Sequence, residues 1–374
     1  MAKIIISGYY GFANAGDEAM LTAMIEAFTL LDPQVEITVL SGNPEETRRQ
    51  HGVKAIHRLN YPEIIGALRR ADLLLSGGGS LLQDVTSDRS FYYYLSIVML
   101  AKKMGKPVML YAQGIGPVQG NLARCAMRVI GNMVDLITVR DEGSREELLD
   151  LRVTKPPVYV TADPVLALLP MDKAMGRILL SRAGIERGSR PCIGISVREW
   201  QNWLPYKKVI AEVADRIARE WSAQIVYLPM QWPEDVAAAR EIVRRSKYPA
   251  FVLDEAYTTN ELLAMIGQMD LLIGIRLHAL IFAAVMNVPM IGVSYDPKVE
   301  RFLRSLGQAA AGTLKDITGE KLFSEAEAVF KNQEKMKQSI ARRMHIIRND
   351  AFRNAELAAA LIQSGKSRTA VPKG

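Results

Sequence analysis

The segment best equipped for chemistry is Gly274-Ile275-Arg276-Leu277-His278. It leaves an apolar run at Leu271–Ile273 and opens an apolar, helix-like stretch that reaches about Met286. The pattern predicts a strand end feeding a helix start, with Arg276 and His278 in the first helical turn. Unmet backbone N–H groups and the helix dipole attract anions there. An arginine fork and an imidazole suit a phosphate or a carboxylate. A histidine is most often structural, but here strand end, helix start and a neighbouring arginine coincide, and His51, His57 and His345 have no such setting. After the next apolar run, Met290–Val293, comes Ser294-Tyr295-Asp296-Pro297-Lys298, where Lys298 offers a point charge to the same ligand.

Other strand ends carry similar chemistry. The segment from Gly8 through Asn14, Gly16, Asp17 and Glu18 runs from an apolar strand into a helix start. It lacks the G-x-G-x-x-G dinucleotide pattern and a P-loop lysine, and Asp17 and Glu18 would repel a pyrophosphate. Asp17 reads equally as a helix cap or as a group that orients or deprotonates a sugar hydroxyl. Ser76-Gly77-Gly78-Gly79-Ser80 permits close approach of a ligand, or simply tight strand–helix packing. Gln113-Gly114-Ile115-Gly116-Pro117 follows a further strand, and Arg140 follows another. Arg140 suits a carboxylate or phosphate, or pairs with Asp141 or Glu142. In the second half Ser196-Val197-Arg198 and Pro229-Met230-Gln231-Trp232 also end strands. Trp200, Trp203 and Trp232 would stack on a sugar ring or anchor their loops.

These ends must be positioned by alternating strands and helices. Lys3–Gly8, Val35–Leu40, Asp72–Ser76, Val108–Ala112 and Leu136–Val139 read as strands, and residues 17–31 show one apolar helical face. A second series comprises Cys192–Val197, Gln224–Pro229, Phe251–Leu253, Leu271–Gly274 and Met290–Val293. Strand–helix alternation predicts parallel sheets with right-handed crossovers, hence an α/β chain of two Rossmann-like domains facing across a cleft. Ligands of such sheets bind beyond the carboxyl ends of the strands. Proline and glycine clustering near residues 164–190 places the domain boundary. The expected division is residues 1–170, residues 171–345, a helix at 346–364 that crosses back, and a fraying tail at 365–374.

Composition narrows the classes. The chain has 374 residues, 49% hydrophobic and 23% charged, as expected of packed domains. No apolar run approaches the ~20 residues of a membrane span. Cys125 and Cys192 are too few for a disulfide framework or a zinc site, and both read as buried, in a reducing cytoplasm. No metal-ligand cluster is visible. The net charge of +7 comes from scattered basic pairs without interleaved aromatic residues, which argues against nucleic acid. Weak attraction to an anionic substrate or to the inner membrane surface remains open.

Taken together, the glycine loop with Asn14, Gly16 and Asp17, the Gly77-Gly78-Gly79 turn, Gln113 to Pro117, Arg276-Leu277-His278 and Asp296-Pro297-Lys298 resemble the polysaccharide pyruvyl transferase family. The resemblance implies the fold of the two-Rossmann (GT-B) glycosyltransferases. It implies phosphoenolpyruvate as co-substrate, no bound cofactor, and a lipid-diphosphate-linked disaccharide acceptor bearing N-acetylmannosamine, a precursor of the secondary cell-wall polymer to which surface-layer proteins attach. It implies donor-binding roles for Arg140, His278 and Lys298, to which Arg276 and Leu277 are added. His278 and Asp17 are expected to be catalytic, as acid and base, with Asn14, Gly16, Gly78, Gly79 and Gln113 on the acceptor side. A cytoplasmic enzyme, peripheral at the inner membrane face, follows, and a homo-oligomer is left open. Rival readings are a nucleotide-sugar glycosyltransferase of the same fold and a non-catalytic glycan-binding protein. The latter fits poorly with strand ends rich in Arg, His and Lys.

Overall fold

The computed structural model describes residues 1–85, 88–200 and 203–369. The chain falls into two compact units. The first comprises Met1–Phe12, Asp17–Ala167 and the chain from Ile347 on; the second comprises Ala13–Gly16 and Leu168–Ile346.

The first unit is built on strands β1 (Lys3–Tyr10), β2 (Glu36–Ser41), β3 (Lys54–His57), β4 (Leu73–Ser76), β5 (Val108–Gln113), β6 (Leu136–Val139) and β7 (Val158–Val160). They form one parallel sheet in the order β3-β2-β1-β4-β5-β6-β7. Its helices are α1 (Ala15–Leu31), α2 (Pro44–His51), α3 (Tyr61–Arg70), α4 (Asp88–Lys103), α5 (Asn121–Gly131) and α6 (Glu142–Asp150). β4 and β6 are buried along their whole length, as continuous apolar strands of a doubly covered sheet must be.

In the second unit, α7 (Lys173–Arg182) precedes β8 (Cys192–Ser196), α8 (Leu204–Glu220), β9 (Gln224–Tyr227), α9 (Glu234–Val243), β10 (Phe251–Val252) and α10 (Thr259–Ile266). Then follow β11 (Leu271–Gly274), α11 (Leu277–Val285), β12 (Met290–Ser294), α12 (Pro297–Ser305), β13 (Gly312–Thr313), α13 (Gly319–Lys331) and α14 (Gln333–Thr369). The strand order is β10-β9-β8-β11-β12-β13. Both sheets therefore reverse direction of growth beside their first strand, at β1/β4 and at β8/β11, where ligands of doubly wound sheets bind.

Several expectations change. β3, β7 and β13 are additional short edge strands, and β1 runs on to Tyr10. α14 continues to Thr369, past the expected start of a fraying tail, and residues 370–374 lie outside the described residues. Arg276 is the N-cap of α11 rather than part of its first turn. Cys192 is buried, but Cys125 is exposed because it lies on the outer side of α5.

α14 reaches the first unit's core through Ala355, Ala358 and Ile362. Among them Asn354 is fully buried, accepting from the Thr161 hydroxyl at 2.8 Å and donating to the Ala162 carbonyl at 3.1 Å. Asn354→Ala removes the donor to the buried Ala162 carbonyl and one acceptor of the Thr161 hydroxyl, and is expected to lower unfolding stability by about 1–3 kcal/mol. An unchanged urea midpoint would contradict this role for the side chain.

Candidate active site

The second unit gathers its charged side chains at the carboxyl ends of β8, β11 and β12. β8 and β11 pair in register, Ser196 beside Gly274, so Arg198 and the Arg276–His278 segment leave adjacent strands at the switch point. β12 pairs with β11 on the other side and delivers Tyr295 and Lys298.

Arg276 is forked onto a carboxylate. Its Nε lies 2.9 Å from Asp235 Oδ2 and its Nη2 2.5 Å from Asp235 Oδ1, a bidentate fork, with Gln231 Oε1 at 3.3 Å. Asp235 is completely buried and also accepts from the backbone of Met230 (3.1 Å) and Gln231 (3.0 Å). The guanidinium charge is therefore met by a carboxylate. Arg276 is a strut that ties the N-cap of α11 to the loop after β9.

That loop in turn holds the glycine segment. The Ala15 amide donates to the Met230 carbonyl at 2.7 Å, the Trp232 amide to Ala13 at 3.1 Å, and Asn14 bridges Gln231. Asn14 Oδ1 accepts from the Gly16 amide at 3.0 Å. Gly16 packs against the His278 side chain, so that a methyl group there would collide with it. Asn14 and Gly16, expected on the acceptor side of the first domain, thus belong to the second unit and shape the surroundings of His278. His278 is in the first turn of α11, as expected, and Leu277 beside it is buried core.

Arg198 and Tyr295 complete the cluster. The Arg198 guanidinium lies 4.3 Å from the Tyr295 ring centre and 5.1 Å from that of Trp200. Among the described residues it makes no ion pair. Tyr206 donates to the Arg198 carbonyl, and buried Lys207 holds the adjacent Glu199 at 2.6 Å and Glu241 at 2.5 Å, so α8 fixes the loop. Lys298 Nζ lies 5.3 Å from the Tyr295 ring centre and 3.3 Å from Asp296, the cap of α12. Burial alone would push the Tyr295 phenol up, but Lys298, Arg198 and Arg276 outweigh it and hold the phenol below its ordinary value. Trp200 therefore packs against a cation and a phenol, while Trp232 anchors its loop by donating to the Asp254 carbonyl at 3.0 Å.

The first unit has its own polar strand ends. Arg140 pairs with Asp163, not with Asp141 or Glu142, at 2.9 Å, and its fork also reaches Ser80 Oγ at 2.9 Å. Both members of that pair are buried, which makes Arg140 a link between the ends of β4, β6 and β7. Gln113 is buried and donates to the Ser76 and Gly77 carbonyls at 3.0 and 2.7 Å, stapling the triple-glycine turn to β5. Gly77 and Gly78 pack on Tyr10 and Met20, the packing reading of that turn. Gly79, with φ +96°, lies beside the carboxylate of Asp17. Glu18 is structural: it accepts from the Gly11 amide at 2.7 Å and pairs with His51 at 2.9 Å. Arg58, unremarked in the sequence, sits 4.0 Å from the Tyr93 ring centre and 5.5 Å from that of Phe12.

A doubled parallel sheet with charged residues at its switch points defines a two-Rossmann α/β protein. Three comparisons place it further. The model of the polysaccharide pyruvyl transferase family matches residues 14–297, and the chain belongs to that family. The amylovoran biosynthesis protein AmsJ of Erwinia amylovora is 22% identical, the alignment covering 91% of this chain and 95% of AmsJ. Among solved structures, S. aureus MnaA with UDP superposes with a TM-score of 0.66 at 12% identity, covering 91% of this chain and 90% of that one. The UDP-GlcNAc 2-epimerase from Neisseria meningitidis bound to UDP-GlcNAc gives 0.63 at 10% identity, with 97% and 100% covered. These likenesses establish the fold, that of two-Rossmann sugar epimerases and glycosyltransferases.

Two consequences can be measured. Asp235→Ala strands a largely buried guanidinium and two backbone amides, and is expected to lower stability by about 3–5 kcal/mol; a loss below about 1 kcal/mol would mean the pair holds nothing. In an ultraviolet pH titration the wild type should show one tyrosine ionising below the ordinary value of about 10, missing from Tyr295→Phe. Identical curves would remove the cationic surroundings of Tyr295.

Proposed function

We propose that this pyruvyl transferase family member uses phosphoenolpyruvate to form a pyruvate ketal on a cell-envelope polysaccharide precursor. In this reading it is a cell-wall pyruvyl transferase whose acceptor is an N-acetylmannosamine-bearing disaccharide on a lipid diphosphate. The observation that carries the donor assignment is the Arg198–Tyr295–Lys298 cluster at the switch point beside His278, within or next to the family-matched span. Two separated cations and a histidine suit a small ligand with a phosphate at one end and a carboxylate at the other.

The chemistry asks three things of the chain. A proton must reach the methylene carbon of the enol phosphate, making it a methyl group. Two acceptor hydroxyls must add in turn to the neighbouring carbon, and the bond from that carbon to the phosphate oxygen must break. One hydroxyl proton balances the new methyl group and the other leaves on phosphate. His278 delivers and recovers protons as the general acid and base at the donor. Arg198 and Lys298 hold the donor's charges. Arg276 keeps His278 in place through Asp235, and Arg140 keeps the first unit's strand ends in place through Asp163. Asp17, beside Gly79, is the base toward the acceptor hydroxyls.

Phosphate release from phosphoenolpyruvate with a synthetic lipid-diphosphate disaccharide tests the reading, with UDP-sugars as the control donors. His278→Ala should reduce turnover about a hundredfold or more. Arg198→Lys and Lys298→Ala should chiefly raise KM for phosphoenolpyruvate. Turnover with UDP-sugars and none with phosphoenolpyruvate would replace this reading with that of a glycosyltransferase.

A further inference from the structure

The outward face of α5 in the first unit is apolar where a surface helix should be polar. Its inward face is Ala123, Met127 and Gly131. Leu122 and Val129 stand two turns apart on the other side, 72% and 57% exposed, and Met133, just past the helix end, extends the line at 38%. Exposed Cys125 lies on the edge of the same strip. Leu149, 56% exposed, directly precedes Asp150, which α5 holds through Arg124 at 2.7 Å.

The strip is flanked by cations. A surface cleft of about 370 Å³ beside it is lined by Arg124, Cys125, Arg128, Asp150, Leu151 and Arg152. Asp150 neutralises Arg124, but Arg128 and Arg152 are exposed and make no ion pair among the described residues. Asn132 fixes the Arg152 loop, donating to the Arg128 and Arg152 carbonyls at 2.7 and 2.8 Å and accepting from the Thr154 and Lys155 amides. The arginines are thus held at the rim by the fold.

We propose that this face docks on an anionic lipid bilayer. Apolar side chains ringed by arginines are what an interfacial helix presents, the first entering the acyl boundary and the second meeting lipid phosphates. A second copy of the chain is a poorer occupant, because a two-fold interface on this patch would bring two arginine-rimmed strips of the same charge together. No helix among the described residues is long and apolar enough to cross a membrane, so contact through this face would be reversible. α5 follows β5, whose carboxyl end carries Gln113. The inference stands on exposure and charge and is independent of the donor assignment.

Co-sedimentation of the full chain with vesicles tests it. The protein should pellet with phosphatidylcholine–phosphatidylglycerol vesicles at low salt and bind at least about tenfold more weakly to phosphatidylcholine alone. Leu122→Glu/Val129→Glu and Arg128→Glu/Arg152→Glu should each weaken that binding about tenfold while keeping the wild-type Tm, since all four side chains are exposed. Equal binding to both vesicle types, binding unaffected by either double variant, or a wild-type dimer in light scattering that Leu122→Glu/Val129→Glu dissociates, would overturn it.

Discussion

The buried fork between Arg276 and Asp235 is the interaction on which the second unit's site depends. It joins the start of α11 to the start of α9 and to the loop after β9. That loop holds Ala13–Gly16 by backbone hydrogen bonds, and Gly16 in turn is the surface on which His278 rests. Because a buried charge without its partner is expensive, the arrangement is fixed before any ligand arrives. Preorganisation of this kind is what a site for a charged transition state requires.

The same economy of charge separates scaffold from ligand-facing groups. Arg140 and Arg276 are each met by a buried carboxylate, Asp163 and Asp235. Arg198 is instead laid over aromatic rings, which restrict its motion without cancelling its charge. Lys298 retains a carboxylate neighbour at 3.3 Å and is the more adjustable of the two cations. In the proposed function an incoming anion would be met by Arg198 and Lys298, with Tyr295 between them.

Much of this was legible in the sequence, and what was not has a common cause. The central strands were readable because double burial demands unbroken apolar runs, as in Leu73–Ser76 and Leu271–Gly274. The edge strands β3, β7 and β13 were not, since Lys-Ala-Ile-His, Val-Tyr-Val and Gly-Thr are half-solvated and too short to show a period. The β11–α11 junction named Arg276 and His278 by local signals alone. Their partners lie far along the chain: Asp235 is 41 residues from Arg276, and Asp163 is 23 from Arg140. Local periodicity cannot see such pairs, so neither carboxylate partner was legible beside its arginine. Arg198 was in view as a strand end, but its place over Trp200 and Tyr295, with no carboxylate partner among the described residues, was not.

In the proposed function Arg198 and Lys298, not Arg276, meet the donor. A crystal structure with phosphoenolpyruvate bound measures this directly. Phosphate and carboxylate oxygens should lie within hydrogen-bond distance of Arg198 and Lys298, with Arg276 still forked onto Asp235. Donor oxygens on Arg276 with Asp235 displaced, or a donor bound away from the ends of β8, β11 and β12, would contradict it.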